Sequence, residues 1–180
     1  MKIIPLLLEN KNYIKQCAML LKTNFKDFSN IEIAKKAILN SIDDNKISII
    51  AVDEDNKVLG WICGVEEYNA HVWEIQPLVV HKENQGNGIG KLLICKFEKL
   101  VALRGGVTII LGTQDEDNST SLSGKDIYPD IFKQIENIKN LNHHTYEFCL
   151  KLGYKIVGVI PDSNGFGKPD ILMAKRVICN

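Results

Sequence analysis

Residues 72–91 read VWEIQPLVVHKENQGNGIGK, and the reading of this stretch decides the fold. An apolar, β-branched run (Val72, Ile75, Leu78, Val79, Val80) passes through a polar turn into glycines at 86, 88 and 90, and an amphipathic run begins at Lys91. The order is strand, loop, helix. Closely spaced glycines let main-chain N–H groups turn toward one point, and a helix N-terminus adds partial positive charge there, so the loop can hold a phosphate or pyrophosphate. Two common phosphate motifs fail on spacing. A Walker P-loop needs glycine at Gln85 and Ser or Thr at Leu92, and a dinucleotide fingerprint needs its last glycine at Lys91 or Leu93. Pro77 removes a ladder donor from an otherwise good strand, which predicts a bulge or an edge.

Around this centre the chain reads as one domain, residues 1–180, large enough for a substantial core. Hydrophobic residues make up 45% and charged residues 24%, the balance of a soluble globular protein. The 22 basic and 22 acidic side chains cancel, so no broad attraction to nucleic acid or anionic lipid is expected. Five scattered cysteines (17, 63, 95, 149, 179) without a C-x-x-C pair favour reduced thiols in a cytoplasmic protein over disulfides or a metal site. The apolar run in MKIIPLLLEN is too short for a secretory or membrane segment.

The remaining elements follow from periodicity and turn signals. Residues 2–7 form a first strand; Asn10 caps a helix from Lys11 to Asn24; Ser29 and Glu32 form a capping box for a helix through Ile42. Residues 46–52 and 57–65 form a hairpin around the turn 53–56. After the helix 91–103, with Leu92, Leu93, Cys95, Phe97 and Leu100 on its apolar face, residues 107–111 are a buried parallel strand. The polar connection 112–140 is long enough to shape a binding pocket and contains a helix opened by Pro129. A helix over 144–152 and strands at 155–160 and 171–177 complete the order β-αα-βββ-α-β-α-α-β-β.

The run Gln85-Gly86-Asn87-Gly88-Ile89-Gly90 resembles the Q/R-x-x-G-x-G/A signature of the GNAT superfamily of acyl-CoA-dependent N-acyltransferases. A second match lies downstream. Asn142, Thr145, Phe148, Lys151, Gly153 and Tyr154 follow the family pattern N-x-x-A-x-x-F-Y-x-K-x-G-F, with Thr145 for alanine, Tyr154 for phenylalanine and Cys149 for tyrosine. The resemblance implies the GNAT fold: mixed α/β, with a mostly antiparallel central sheet, a splayed parallel pair and flanking helices. It also implies acetyl-CoA as cosubstrate and no metal. Backbone groups of Leu78, Val79 and Val80 would pair with the pantetheine arm, the loop Gln85, Gly86, Asn87, Gly88, Ile89, Gly90 and Lys91 would hold the pyrophosphate, and Asn142 would contact the arm.

Acetyl transfer to a protonated amine requires a base. Glu74, eleven residues before Gln85, stands at the spacing where many members of the superfamily carry a general-base glutamate; the alternative is a surface glutamate on an alternating strand. By resemblance the Leu78 amide is the donor to the developing oxyanion. Cys149 occupies the place of the tyrosine proposed in the family to protonate the departing thiolate, and Tyr146, one helical turn earlier, could stand in; packing is the alternative for both. Covalent catalysis by Cys149 is set aside, since neither His143 nor His144 has an evident orienting group.

Stretches at 58–80, 111–117, 120–130 and 167–177 further resemble a branch of bacterial aminoglycoside 6'-N-acetyltransferases. A polycationic acceptor calls for carboxylates and flat apolar walls, which Glu67, Asp115, Glu116, Asp117 and Asp170 and the rings of Trp61 and Trp73 could supply; each acid alone reads more readily as a solvated loop charge, and the cluster 115–117 as either. The resemblance thus implies a small-molecule amine substrate, with no nucleic-acid or membrane partner. Dimeric relatives give a homodimer by analogy. Two other readings stay open: a GNAT enzyme for another amine (polyamine, metabolite or protein amine), and an inactive coenzyme A-binding regulatory domain.

Overall fold

The computed structural model describes residues 1–177; Cys179, counted above among the reduced thiols, lies outside the described residues. Residues 1–109 with Val177 form one compact unit and residues 110–176 a second. No helix among the described residues is long and apolar enough to cross a membrane.

The first unit carries β1 (Lys2–Pro5), α1 (Lys11–Asn24), α2 (Ile31–Asn40), β2 (Lys46–Val52), β3 (Val58–Glu67), β4 (Val72–Val80) and α3 (Ile89–Leu103). Strands β1 to β4 pair in chain order, each antiparallel to the next. The strand β5 (Thr108–Gln114) begins in this unit with Thr108 and Ile109 as the parallel neighbour of β4. The second unit continues β5 and adds α4 (Ile131–Glu136), α5 (Tyr146–Lys151), β6 (Lys155–Ile160) and β7 (Asp170–Arg176), in the strand order β5-β7-β6 with β6 and β7 antiparallel. The fold is the mixed, mostly antiparallel α/β class expected from the sequence, with the same element order.

Local chemistry explains where the boundaries moved. α2 is capped by Asn30, whose side chain accepts the Glu32 amide at 2.8 Å, rather than by Ser29. Asn10 turns its side chain back to the Leu7 amide, so α1 has no side-chain cap. α3 starts at Ile89, two residues before Lys91, because Gly88 takes the left-handed conformation (φ 78°) and serves as its N-cap. That start turns Ile89, Leu93, Phe97 and Val101 inward and leaves Leu92 exposed. Helices α1 and α2 cover one face of the β1–β4 sheet through a core that includes Ile14, Cys17, Leu21, Ile38, Trp61, Cys63 and Val79.

Candidate active site

β4 contains the expected bulge. Ile62 of β3 pairs with Leu78 and Gly64 pairs with Ile75, so Cys63 faces two residues, Gln76 and Pro77, which are joined by a cis peptide. An extra residue on one strand bends it and inverts its alternation. Trp73, before the bulge, packs edge-on against Phe97 of α3, whereas Val79, after it, joins the α1–α2 core opposite Trp61.

Glu74 lies half-buried in the first half of this strand, paired with Val65. Glu67 pairs with Val72, so the two glutamates are diagonal neighbours on one face of the hairpin, about 7–8 Å apart by ordinary sheet geometry. The turn joining β3 and β4 has three consecutive residues in the left-handed region: Tyr68 (φ 50°), Asn69 (φ 56°) and Ala70 (φ 62°).

Beyond β4 the chain makes a single 3₁₀ turn (Lys82–Asn84), and the Gln85 side chain donates back to the Val80 carbonyl at 3.1 Å. Gly86 and Gly88 follow at φ 79° and 78°, where a side chain is disfavoured on backbone grounds. A Cβ at either position would meet nothing within 4 Å, so the loop borders open space. The first turn of α3 holds no acidic residue and has no side-chain cap. Its opening amides lack intrahelical acceptors by construction, and the helix dipole favours an anion there. These features fit a diphosphate, and the residues that would hold it are those from Gly86 to Lys91.

Neither tryptophan supplies an acceptor wall. Trp61 is 2% exposed and donates its indole N–H to Ser48 Oγ at 2.9 Å. Ser41 donates to the Ile38 carbonyl (2.7 Å), so Ser48 must donate to Ser41 (3.0 Å), and a buried hydroxyl relay satisfies the ring. Trp73 is fully buried, bonds the Ala70 carbonyl at 3.1 Å and carries the Arg104 guanidinium over its ring. Both are core residues.

In the second unit Asp115 departs from its expected role as an acceptor ligand. It has no exposed surface, and its carboxylate accepts the amides of Ser119 (2.7 Å) and Thr120 (2.8 Å) and the Ser123 hydroxyl. Burial alone would raise its pKa; the hydrogen bonds outweigh burial and hold it below the usual carboxylate range. Asp115 thus ties down the long polar connection. That connection is fastened again where the Gly124 amide donates to the Gly167 carbonyl at 2.8 Å, an approach so close that a Cβ on Gly167 would lie 3.0 Å from the Gly124 backbone. Glu116 and Asp117 are exposed beside it. Asp170, half-buried, fills the space over Gly112 that a side chain there would need.

Asn142 is exposed just before α5, while Tyr146 and Cys149 face inward, 4% and 3% exposed. Burial pushes the Cys149 thiol up to about 11, so it is not a thiolate near neutral pH. The sequence shows no evident orienting group for His144. Its ring is oriented after all, by the Gln114 carbonyl, at 3.1 Å from Nε2. An Asp four residues before a Ser-Thr pair was the available signal for this loop architecture. Among the described residues, no three or more His, Cys, Asp or Glu side chains gather as a metal site.

The acetyltransferase (GNAT) family profile matches residues 15–123. No curated protein sequence matches the chain. Among solved structures, an aminoglycoside 6'-N-acetyltransferase complexed with coenzyme A is 39% identical over 100% of this chain and 99% of its own, with a TM-score of 0.95. The aminoglycoside 6'-N-acetyltransferase from Enterococcus faecium shares 39% identity over the same shares of the two chains (TM-score 0.93). An aminoglycoside 6'-acetyltransferase type Ii shares 34% over 100% and 99% (TM-score 0.79). With open space beside the glycines that precede α3 and this likeness along its whole length, the chain belongs to the GNAT family and is an acetyl-CoA-dependent N-acetyltransferase.

Proposed function

We propose that residues 1–180 act as a single acetyltransferase domain that transfers the acetyl group to the 6'-amine of an aminoglycoside, with Glu74 as general base. The observation that carries this reading is end-to-end identity of 39% to two aminoglycoside 6'-N-acetyltransferases. The placement of Glu67 beside Glu74 on one hairpin face supports it, since one carboxylate can take a proton while the other holds a second ammonium of a polycation. Acetyl-CoA, when bound, supplies an acyl carbon activated as a thioester. Glu74 takes the ammonium proton directly or through one water, and the Leu78 amide, just past the bulge, donates to the acyl oxygen. The main chain of Leu78, Val79 and Val80 orients the acyl arm, and the amides from Gly86 to Lys91 hold its diphosphate. Tyr146 and Cys149 are assigned to packing, because both are buried and a coenzyme A thiolate leaves without help. Four free thiols among the described residues support a reducing, cytoplasmic setting.

A thiol-release assay with acetyl-CoA tests the acceptor. Turnover is expected with kanamycin-type compounds bearing a 6'-amine and not with their 6'-hydroxyl analogues. Turnover with polyamines or peptide amines alone would overturn the aminoglycoside assignment and leave the enzyme class intact.

A further inference from the structure

Within the first unit, Arg104 ends α3 but its side chain leaves the helix. Its amide still belongs to the last turn, donating to the Leu100 and Val101 carbonyls at 3.1 Å. Its guanidinium reaches back across about sixty residues of chain, where Nη1 donates to the carbonyls of Asp44 (2.8 Å) and Lys46 (3.1 Å) at the entry to β2. The same group lies over the Trp73 ring, with Cζ 5.4 Å from its centre. Two main-chain acceptors and an aromatic face hold a planar fork in one orientation, although its outer side meets solvent.

Trp73 is gripped from other directions as well. Its N–H is bound by the Ala70 carbonyl at 3.1 Å, Phe97 meets it edge-on, and a Cβ on Gly106 would lie 2.7 Å from its Cδ1. Phe97 in turn occupies the space over Gly64, whose own Cβ would stand 3.0 Å from the Glu74 carbonyl. The middle of α3, its C-terminal end and the β3–β4 turn therefore converge on one buried indole.

Glu74 is the next residue. Successive side chains on a strand point to opposite faces, so a rotation of the backbone that moves the indole on one face swings the carboxylate on the other. The paired segment Val72–Ile75 is short, lying between the left-handed turn 68–70 and the bulge at Gln76–Pro77, so its orientation is not carried over from a longer regular strand. From this geometry we infer that Arg104 is a positioning residue for acetyl transfer: by holding the Trp73 ring against α3 it sets the direction in which Glu74 presents its carboxylate. The inference deepens the reading of Glu74 as general base and rests on it.

A double-mutant cycle tests it, with kcat/KM for a kanamycin-type amine measured at saturating acetyl-CoA. Arg104→Ala should lower this value roughly tenfold, as misdirection of a catalytic group does, and less than loss of the carboxylate itself. The deficit should shrink at alkaline pH, where the acceptor arrives as free amine and needs no base. Calorimetric affinity for acetyl-CoA should stay within about twofold of the parent, because the clamp lies at the opposite end of α3 from the glycine loop. In the Glu74→Gln background Arg104→Ala should cost no more than about a further twofold, since the group it aims is gone. Losses that multiply in the double variant, or a deficit that stays constant across pH, would show that Arg104 merely supports the fold and would overturn the inference. Should Arg104→Ala fail to fold, Arg104→Lys, which keeps a cation and loses the fork, enters the same cycle. The two readings fail separately. A Glu74→Gln protein as active as the parent, with the same pH profile, removes the base and this inference with it; a large loss in Glu74→Gln beside a folded, parent-like Arg104→Ala keeps the base and refutes the role of Arg104 alone.

Discussion

The pyrophosphate loop can be tested with a control built into the same helix. Gly88 at the start of α3 and Gly105 just past its end have nearly equal φ values, 78° and 80°, and a Cβ on either would meet nothing within 4 Å. Gly105 occupies the left-handed C-terminal position, with the Gly106 amide donating to the Val101 carbonyl at 2.9 Å. Alanine at either site therefore has the same backbone cost, about 1–2 kcal/mol for a left-handed L-residue. Against this stands about 0.4–1 kcal/mol gained by restricting the unfolded chain. The net loss, roughly 0.5–1 kcal/mol, should lower the melting temperature by about 1–4 °C in both variants. Affinity should separate them. At Gly88 the new methyl enters open space beside the proposed diphosphate loop, and obstructing one or two charge-assisted hydrogen bonds is worth about 1.5–3 kcal/mol each. Gly88→Ala should thus bind acetyl-CoA at least about tenfold more weakly by calorimetry, and Gly105→Ala as the parent does. Equal affinities in two folded variants with equal melting shifts would refute the assignment of the loop.

Glu74→Gln should leave acetyl-CoA affinity within about twofold while lowering kcat/KM by roughly a hundredfold near neutral pH. The deficit should shrink at alkaline pH as free amine accumulates; a pH–rate profile parallel to that of the parent would remove Glu74 from the base role. The buried thiols predict an alkaline loss of stability. Burial raises Cys17 to about 12 and Cys63 and Cys149 to about 11 from the ordinary 9.0. Between pH 9 and 11 the folded protein keeps protons that the unfolded chain releases, so stability is complete below pH 9 and falls as pH rises, by up to about 1.4 kcal/mol per pH unit per thiol. Thermal unfolding under reductant from pH 8 to 10.5 measures this slope, and Cys149→Ala should flatten it; an unaltered slope would show that this thiol ionises as freely in the folded state.

Element order and type were readable because both depend on local periodicity. α1 (Lys11–Asn24), β2 (Lys46–Val52) and β6 (Lys155–Ile160) fall on the expected residues. The shifts arose where one residue's conformation decides. Gly88 as N-cap starts α3 at Ile89, though Gly90 reads as loop, and the earlier start rotates Leu92 out and Ile89 in. The site was legible in part. The loop glycines and the Pro77 bulge announce themselves through backbone chemistry, which a single sequence displays. The environment of Trp61 and Trp73 does not, because which way a strand residue faces depends on register with the neighbouring strand. Asp115 was misread for a related reason. A carboxylate in a polar stretch looks solvated until its partners, four to eight residues onward, are seen to fold back onto it.

The bulge also explains how one nine-residue strand can serve two functions that regular alternation would set against each other. With strict period two, residues 73, 75, 77 and 79 would share a face, and Val79 would face α3 alongside Trp73 and Ile75. The extra residue at Gln76–Pro77 puts the halves out of phase. Trp73 thereby seals the α3 side while Glu74 shares the other face with Glu67, and Val79 anchors the second half in the α1–α2 core immediately before the chain turns into the glycine loop. The carboxylate thus lies on, and the glycine loop follows by one 3₁₀ turn from, a strand packed against different helices at its two ends. A strand fixed by packing at both ends holds Glu74, the proposed base, and the proposed diphosphate loop in register more firmly than a mobile connection could.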